Sequence, residues 1–570
     1  MQRNTQIGIA AVIIIIVIAA AAWYALTPPP APPPPTVTTT TAAPPPVTTT
    51  TAGPPPGPTL LSISFANVPN LDPAVGSDEA SSSAFVNLYD TLLYPTSTGD
   101  VNPNLATSYS VSSDGLTWTF KLRSGVKFHD GTPLTASDVV FSLNRMLTIG
   151  QGYSYLFTPY VDQVSAPDDQ TVVIKLKTTF GPFSGSVVRI YVLNEDLVTS
   201  HFKTPGPYGD KGDYGTEWLL TNDAGSGPYK VKEAKLEEYL LMERFTNYWG
   251  QFGKNAPDLV KFLGTTEPAT IKTMISNGQL DITDQWQSTE ALEAMSKLKG
   301  VTLTNIPTTG EFYLMMHTKK APTDDLHFRA AITYAFDYET VVKSIIPGAS
   351  QSAGPVPTAL PGHDPNAVLY KRDVTKAMEH LKQSKYYANL DKYKVEFHWI
   401  AEVPDEEKIA LLFANNMKEI GIQVEVVKVP WLRVVDEMGK MDTCPNIVSI
   451  YVLSSYAEAG SMLQQRYHSR SVGTWEQNEW LQDPRIDSMI DDAVSTVDKT
   501  ERFSKYIKVQ QELMNLYPSV FVYDQLERRA YYAGYVDWYA AKGQWVPVLG
   551  YNFDCRFIGL DAAKKAELFP

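Results

Sequence analysis

Residues 116–146 read LTWTFKLRSGVKFHDGTPLTASDVVFSLNRM, and the fold follows from how this stretch alternates. Leu116, Trp118, Phe120 and Leu122 are separated by polar Thr117, Thr119 and Lys121, the period of two expected of a strand with one buried face. Ser124-Gly125 and Asp130-Gly131 are turn dipeptides on either side of the short run Val126, Lys127, Phe128. Thr135, with Asp138 three residues on, predicts a helix start, because the acid lies where first-turn N–H groups need acceptors. Val139, Leu143 and Met146 then return at helical spacing. His129 and Asp130 invite a metal or acid–base reading, but an Asp-Gly turn accounts for them more economically.

Working outward, Ile7 to Leu26 carries no charge and, at the ~1.5 Å rise of a helix, is long enough to cross a bilayer core. Arg3 precedes it and the next charged residue is Asp72. That asymmetry predicts an N-terminus inside and the bulk of the chain outside. Residues 1–27 are therefore read as a hydrophobic anchor or export signal, with the globular part displayed at the cell surface. Residues 28–58 consist almost wholly of Pro, Thr, Ala, Val and Gly, which cannot build a core and stiffen toward polyproline II. At ~3.1 Å per residue this stalk spans roughly 90 Å.

The remainder is long enough for more than one domain. The whole chain, with 44% hydrophobic and 11% aromatic residues, has material for a large core. The net charge of -14 argues against nucleic acid, whose binders concentrate Lys and Arg. Two cysteines, Cys444 and Cys555, allow at most one disulfide and have no metal-ligand spacing. No phosphate-binding glycine loop, His-Glu-x-x-His helix or Gly-x-Ser-x-Gly elbow is present. The paired acids Asp324-Asp325, Glu406-Glu407 and Asp491-Asp492 are read as helix starts or solvated faces. Further on, Asp405 is expected to cap a helix ending at Gly421, and the alternating Ile422, Val424 and Val426 a strand after it. Residues 485–496 and 501–516 read as helices, and Ser519 to Tyr523 as a buried strand.

The 116–146 segment resembles, over its full length, the signature of family 5 extracytoplasmic solute-binding proteins. These are the large peptide-, nickel- and oligosaccharide-binding subunits of ATP-binding-cassette importers. The likeness continues through ISFANVPNLDPAVGS (63–77), the Asn87–Trp118 segment, SGPYKVKEAKLEEYLLMERFTNYWG (226–250) and the residues from Phe312 to Gly348. It implies a two-lobed α/β fold of the periplasmic-binding-protein type, with the ligand cleft between lobes. Residues 59–308 completed by 527–570 would form one lobe, and 309–526 the other. The implied role is ligand capture by closure and delivery to a membrane permease, with no catalysis and no cofactor.

The ligand is expected to be decided by YVLSSYAEAG, Tyr451 to Gly460. Peptide-binding relatives carry an acid there that receives a free α-amino group. Aligned on Tyr456, that position is Ser455, which can share a hydrogen bond but cannot neutralise an ammonium. Glu458 lies three residues away as a substitute. Trp286, Trp431, Tyr451, Tyr456 and Trp475 offer flat rings that would suit sugar faces. The resemblance favours an oligopeptide and leaves an oligosaccharide open. A cell-surface hydrolase or a structural protein on the same lobed fold is the alternative from another class; it would need a nucleophile–base or twin-carboxylate set, or self-association.

Overall fold

A computed structural model of the chain describes residues 57–570. The hydrophobic segment and almost all of the stalk lie outside these residues. Among the described residues no helix is long and apolar enough to cross a membrane.

Strand β1 (Leu60–Phe65) opens the fold and is followed by helix α1 (Glu79–Leu88). The alternating stretch forms β3 (Thr117–Leu122), antiparallel to β2 (Ala106–Val111) before it. Trp118, Phe120 and Leu122 are buried, as the period of two requires. Helix α2 (Ala136–Ile149) starts with the expected capping box of Thr135 and Asp138 and stops at Gly150, which takes a left-handed conformation. Strands β4 (Val161–Asp168) and β5 (Thr171–Leu176) complete a four-stranded sheet in the order β2-β3-β5-β4. His129 and Asp130 serve the turn: the His129 ring bonds the Asp223 carboxylate and the Gly227 carbonyl, and Asp130 accepts from Thr132 N at 2.9 Å.

Strands β6 (Tyr229–Lys235), β7 (Tyr239–Arg244) and β8 (Leu259–Gly264) join β1 in a second sheet, ordered β1-β8-β7-β6. The short β9 (Thr302–Leu303) leads into the long β10 (Ile306–Met316). Asp325 caps α3 (Leu326–Ala335), and β11 (Ser350–Gln351) and β12 (Val395–Ile400) follow. Helix α4 (Pro404–Glu419) corrects the expectation for Asp405, which does not cap it. Pro404 occupies the first helical position, where its fixed φ and missing N–H cost nothing. The Asp405 carboxylate instead accepts from Thr289 N and Oγ1, both at 3.0 Å, and from Lys408 at 2.8 Å.

After α4 come β13 (Val424–Val429) and β14 (Ile447–Leu453), then α5 (Ala459–Tyr467), α6 (Pro484–Ser495) and α7 (Lys499–Leu516). Strand β15 (Ser519–Glu527) runs four residues beyond its expected end and β16 (Ala530–Tyr531) pairs with β9. Together they give a six-stranded mixed sheet, ordered β11-β15-β10-β14-β12-β13. One of its faces, carrying Phe312, Leu314, Val520 and Val522, packs on α3 and α4 through Phe328, Ile332, Ile409 and Phe413. The fold is thus mixed α/β. Cys444 and Cys555 are both buried and free.

Candidate functional site

The chain passes between the N-terminal sheets and the six-stranded sheet at two adjoining places. Thr304 N donates to Arg529 O at 2.9 Å, and Thr304 Oγ1 donates to Glu527 O at 2.9 Å. Two cavities flank this crossing. One, an indentation of about 470 Å³ counted out to open solvent, is walled by Trp286, Asp405, Tyr451, Tyr523 and Arg528; the other, of about 380 Å³ on the same count, by Glu79, Thr309, Leu453, Glu527 and Phe553. Gln285 lines both. Cavities with apolar walls and a few polar groups at such seams are where ligands usually bind.

Local structure explains which side chains reach the seam. On β14 the period of two buries Val448, Ile450 and Val452 and leaves Tyr451 and Leu453 half-buried at the strand's end. Trp286 follows the buried run Asp281–Asp284, and its backbone N–H donates to Asp284 Oδ1 at 2.9 Å, which fixes the turn. The rings of Trp286 and Tyr451 meet at 5.4 Å, joining elements far apart in sequence. The Tyr451 and Tyr523 hydroxyls share a short hydrogen bond.

Beyond β14, Ser455 lies in a buried polar cluster. Its hydroxyl pairs with that of Tyr155 and donates to Gln465 Oε1 at 3.4 Å, and its carbonyl accepts from Arg189 Nε at 2.8 Å. Gln465 Nε2 donates to Glu476 Oε1 at 2.8 Å. Burial pushes the Glu476 carboxyl up to about 7 against the opposing effect of that amide. Two carboxylates of the second cavity's wall hold Arg529 behind it, Glu527 at 2.6 Å and Glu79 at 2.5 Å. Burial raises Glu79 to about 7, with the Arg529 guanidinium pulling the other way. Among the described residues no cluster of His, Cys, Asp and Glu is arranged to hold a metal ion.

Of the residues singled out from sequence, Trp286 and Tyr451 line the larger cavity together. Trp431 and Trp475 form an edge-on pair at 5.2 Å that lines neither cavity. Tyr456 is fully buried and donates to Gln464 Oε1 at 2.8 Å. Glu458 is held by Arg502 through two bonds of 2.7 and 2.9 Å, so its charge is already met. Tyr155, Arg189, Tyr523, Arg528 and Glu79 were not singled out. Arg189 carried a usable signal, being the sole charged residue between Phe180 and Leu193.

The family model for bacterial extracellular solute-binding proteins, family 5 middle, matches residues 100–473. The chain is 28% identical over 473 residues to the probable D,D-dipeptide-binding periplasmic protein DdpA of Escherichia coli, covering 81% of this chain and 87% of that protein. It is 24% identical to the periplasmic oligopeptide-binding protein OppA of Salmonella typhimurium, covering 80% and 85%. Among solved structures, Helicobacter pylori DppA in complex with the peptide STSA superposes with a TM-score of 0.76 at 22% identity, covering 88% of this chain and 98% of that one. Bacillus subtilis AppA in complex with a nonapeptide superposes at 0.73 and 19%, covering 88% and 100%. With about two thirds of its length inside the matched model, the chain belongs to family 5 of the bacterial extracellular solute-binding proteins.

Proposed function

We propose that the protein captures an oligopeptide between two lobes and delivers it to the permease of an ATP-binding-cassette importer. The observation that carries this reading is the Trp286–Tyr451 contact across a cavity whose walls come from both sides of the chain crossing. One lobe is residues 59–308 with 527–570, and the other 309–526. The division falls where β9 and β16 pair and where β10 and β15 begin and end, so few backbone segments need bend. A ligand touching both walls stabilises the closed arrangement by the difference between its contacts there and in the open one. The named partners of several relatives are peptides, and the charged groups at the seam suit a zwitterion better than a neutral sugar. Residues 1–58 would tether the receptor outside the cell.

Thermal melting of the purified protein with tri- to pentapeptides and with oligosaccharides tests this. A ligand at about 100 times its dissociation constant adds roughly 2.7 kcal/mol of stability. Peptide-specific stabilisation supports the reading. Stabilisation by oligosaccharides alone, or by nothing in either panel, refutes it. Acetylating the peptide N-terminus adds a second answer. Unchanged affinity fits Ser455 standing where an acid would be, and a large loss assigns the ammonium to another carboxylate such as Glu476.

A further inference from the structure

The larger cavity contains a cation without a counter-ion. Arg528 lines it, and the guanidinium makes one hydrogen bond, from Nη1 to Thr289 Oγ1 at 3.3 Å. Its Nε is buried with no acceptor, and among the described residues no carboxylate lies within 4.0 Å of the group. The next residue, Arg529, has two carboxylates. The acid that shares the cavity cannot serve Arg528. Asp405 spends Oδ2 on Thr289 N and Oγ1 at 3.0 Å each, and Oδ1 on Lys408 at 2.8 Å. Glu290, the other partner of Lys408, is 69% exposed and screened by water. Gln287, on the same wall, has an Oε1 that also lacks a partner.

Arg528 is half-buried, with its Nε enclosed and lacking an acceptor, and a carboxylate is the partner that can serve Nε and an Nη together through the planar fork. The same cavity is lined by Trp286, Tyr451 and Tyr523, flat surfaces that suit the apolar part of a group whose charged end meets the arginine. We propose that this cavity binds a carboxylate of the ligand, with Arg528 as its charge partner. The inference rests on the receptor reading above and narrows it to ligands that carry an acid. Two sources supply this chemistry: the C-terminal carboxylate of a peptide, or an Asp or Glu side chain.

Calorimetric titration of the full chain separates them. The probes are trialanine, trialanine amide, Ala-Glu-Ala and Ala-Gln-Ala, against wild type, Arg528→Met and Arg528→Lys. A main-chain carboxylate in the cavity makes amidation cost about tenfold or more in affinity, while a side-chain carboxylate makes Glu to Gln cost that much. Arg528→Met should erase whichever difference the wild type shows and leave the neutral member of the pair within about threefold. Arg528→Lys keeps the charge without the fork, should retain part of the discrimination, and decides the matter if the methionine variant does not fold. Equal affinity for both members of both pairs in the wild type overturns the proposal, as does discrimination that survives intact without Arg528. If no peptide binds any variant, the receptor reading itself fails. Millimolar phenylacetate against phenylacetamide, read by tryptophan fluorescence, then judges the cavity alone, and equal responses overturn the carboxylate site too.

Discussion

Replacing Arg145 by methionine should lower the melting temperature of the protein by about 3–5 °C. Arg145 projects from α2 with no exposed surface, and grips both oxygens of Asp72 at 2.6 and 2.5 Å. Its Nε also donates to Tyr214 O at 2.8 Å, so one side chain ties the helix to the Leu-Asp-Pro turn and to a distant loop. Methionine fills most of the volume but leaves the Asp72 carboxylate buried with a single backbone donor, Ala74 N at 2.9 Å. Breaking a buried pair in this way costs roughly 3–5 kcal/mol. A chain of this size unfolds with an entropy of roughly 1.1 kcal/mol/K, from about 2.1 cal/mol/K per residue, which converts that loss into the stated shift. The assay is differential scanning calorimetry of wild type, R145M, D72N and the double variant. The double variant should recover part of the loss, because the stranded charge is gone. A shift below about 1 °C in R145M, or a double variant no better than the sum of the singles, would refute the assignment of the energy to this pair.

Substituting Glu458→Gln should lower the melting temperature and leave peptide affinity within about twofold, since Arg502 rather than the ligand holds that carboxylate; calorimetry and titration of one variant read both. Trp286→Ala should weaken ligand binding about five- to thirtyfold, for a loss of about 1–2 kcal/mol, while the melting temperature without ligand moves little. Ser455→Asp should strengthen binding of peptides with a free N-terminus and not of their acetylated forms, as competition titrations would register. Glu406 gives a pH test. Burial raises its carboxyl to about 8 although Ile400 N and Ser449 Oγ donate to it. Because the folded value lies above the unfolded one, the protonated form favours folding below about pH 4.5, and that contribution is lost as pH rises toward 8. Glu406→Gln should therefore flatten the decline in urea midpoint between those limits, and an unchanged slope would count against it.

Much of the fold was legible because it is written in local chemistry. The alternation in Thr117–Leu122 and the Thr135–Asp138 box each need fewer than ten residues to be read, and the structure realises both. Asp405 misled for the opposite reason: its partner Thr289 lies 116 positions earlier, and the neighbouring proline had already taken the helix start. The same holds at the seam. The expectation for Ser455 comes from its near neighbours in sequence, whereas its contacts Tyr155 and Arg189 reach it from 300 and 266 positions away and leave no local mark. Tryptophans were hard to sort, since ring size predicts burial without saying against what; Trp286 meets the cavity and Trp431 meets Trp475. Glu406 was read with its neighbour as part of a helix start, which is its position, yet it is 1% exposed, a fact only the sheet beneath could supply.

The late return of the chain bears on how the molecule is made. Arg529 reaches Glu79 and the carbonyl of Ser64, Phe553 lies against Phe65, and Asn87 bonds the backbone of Phe553 and Cys555. A ribosome delivers the opening residues first, so their hydrophobic surfaces stay unfinished until the last forty or so residues emerge. The six-stranded sheet is completed slightly earlier, once β15 has emerged to pair with β10. Assembly should therefore complete the six-stranded sheet before the sheet that begins with β1, whose packing against Phe553 is among the final contacts to lock.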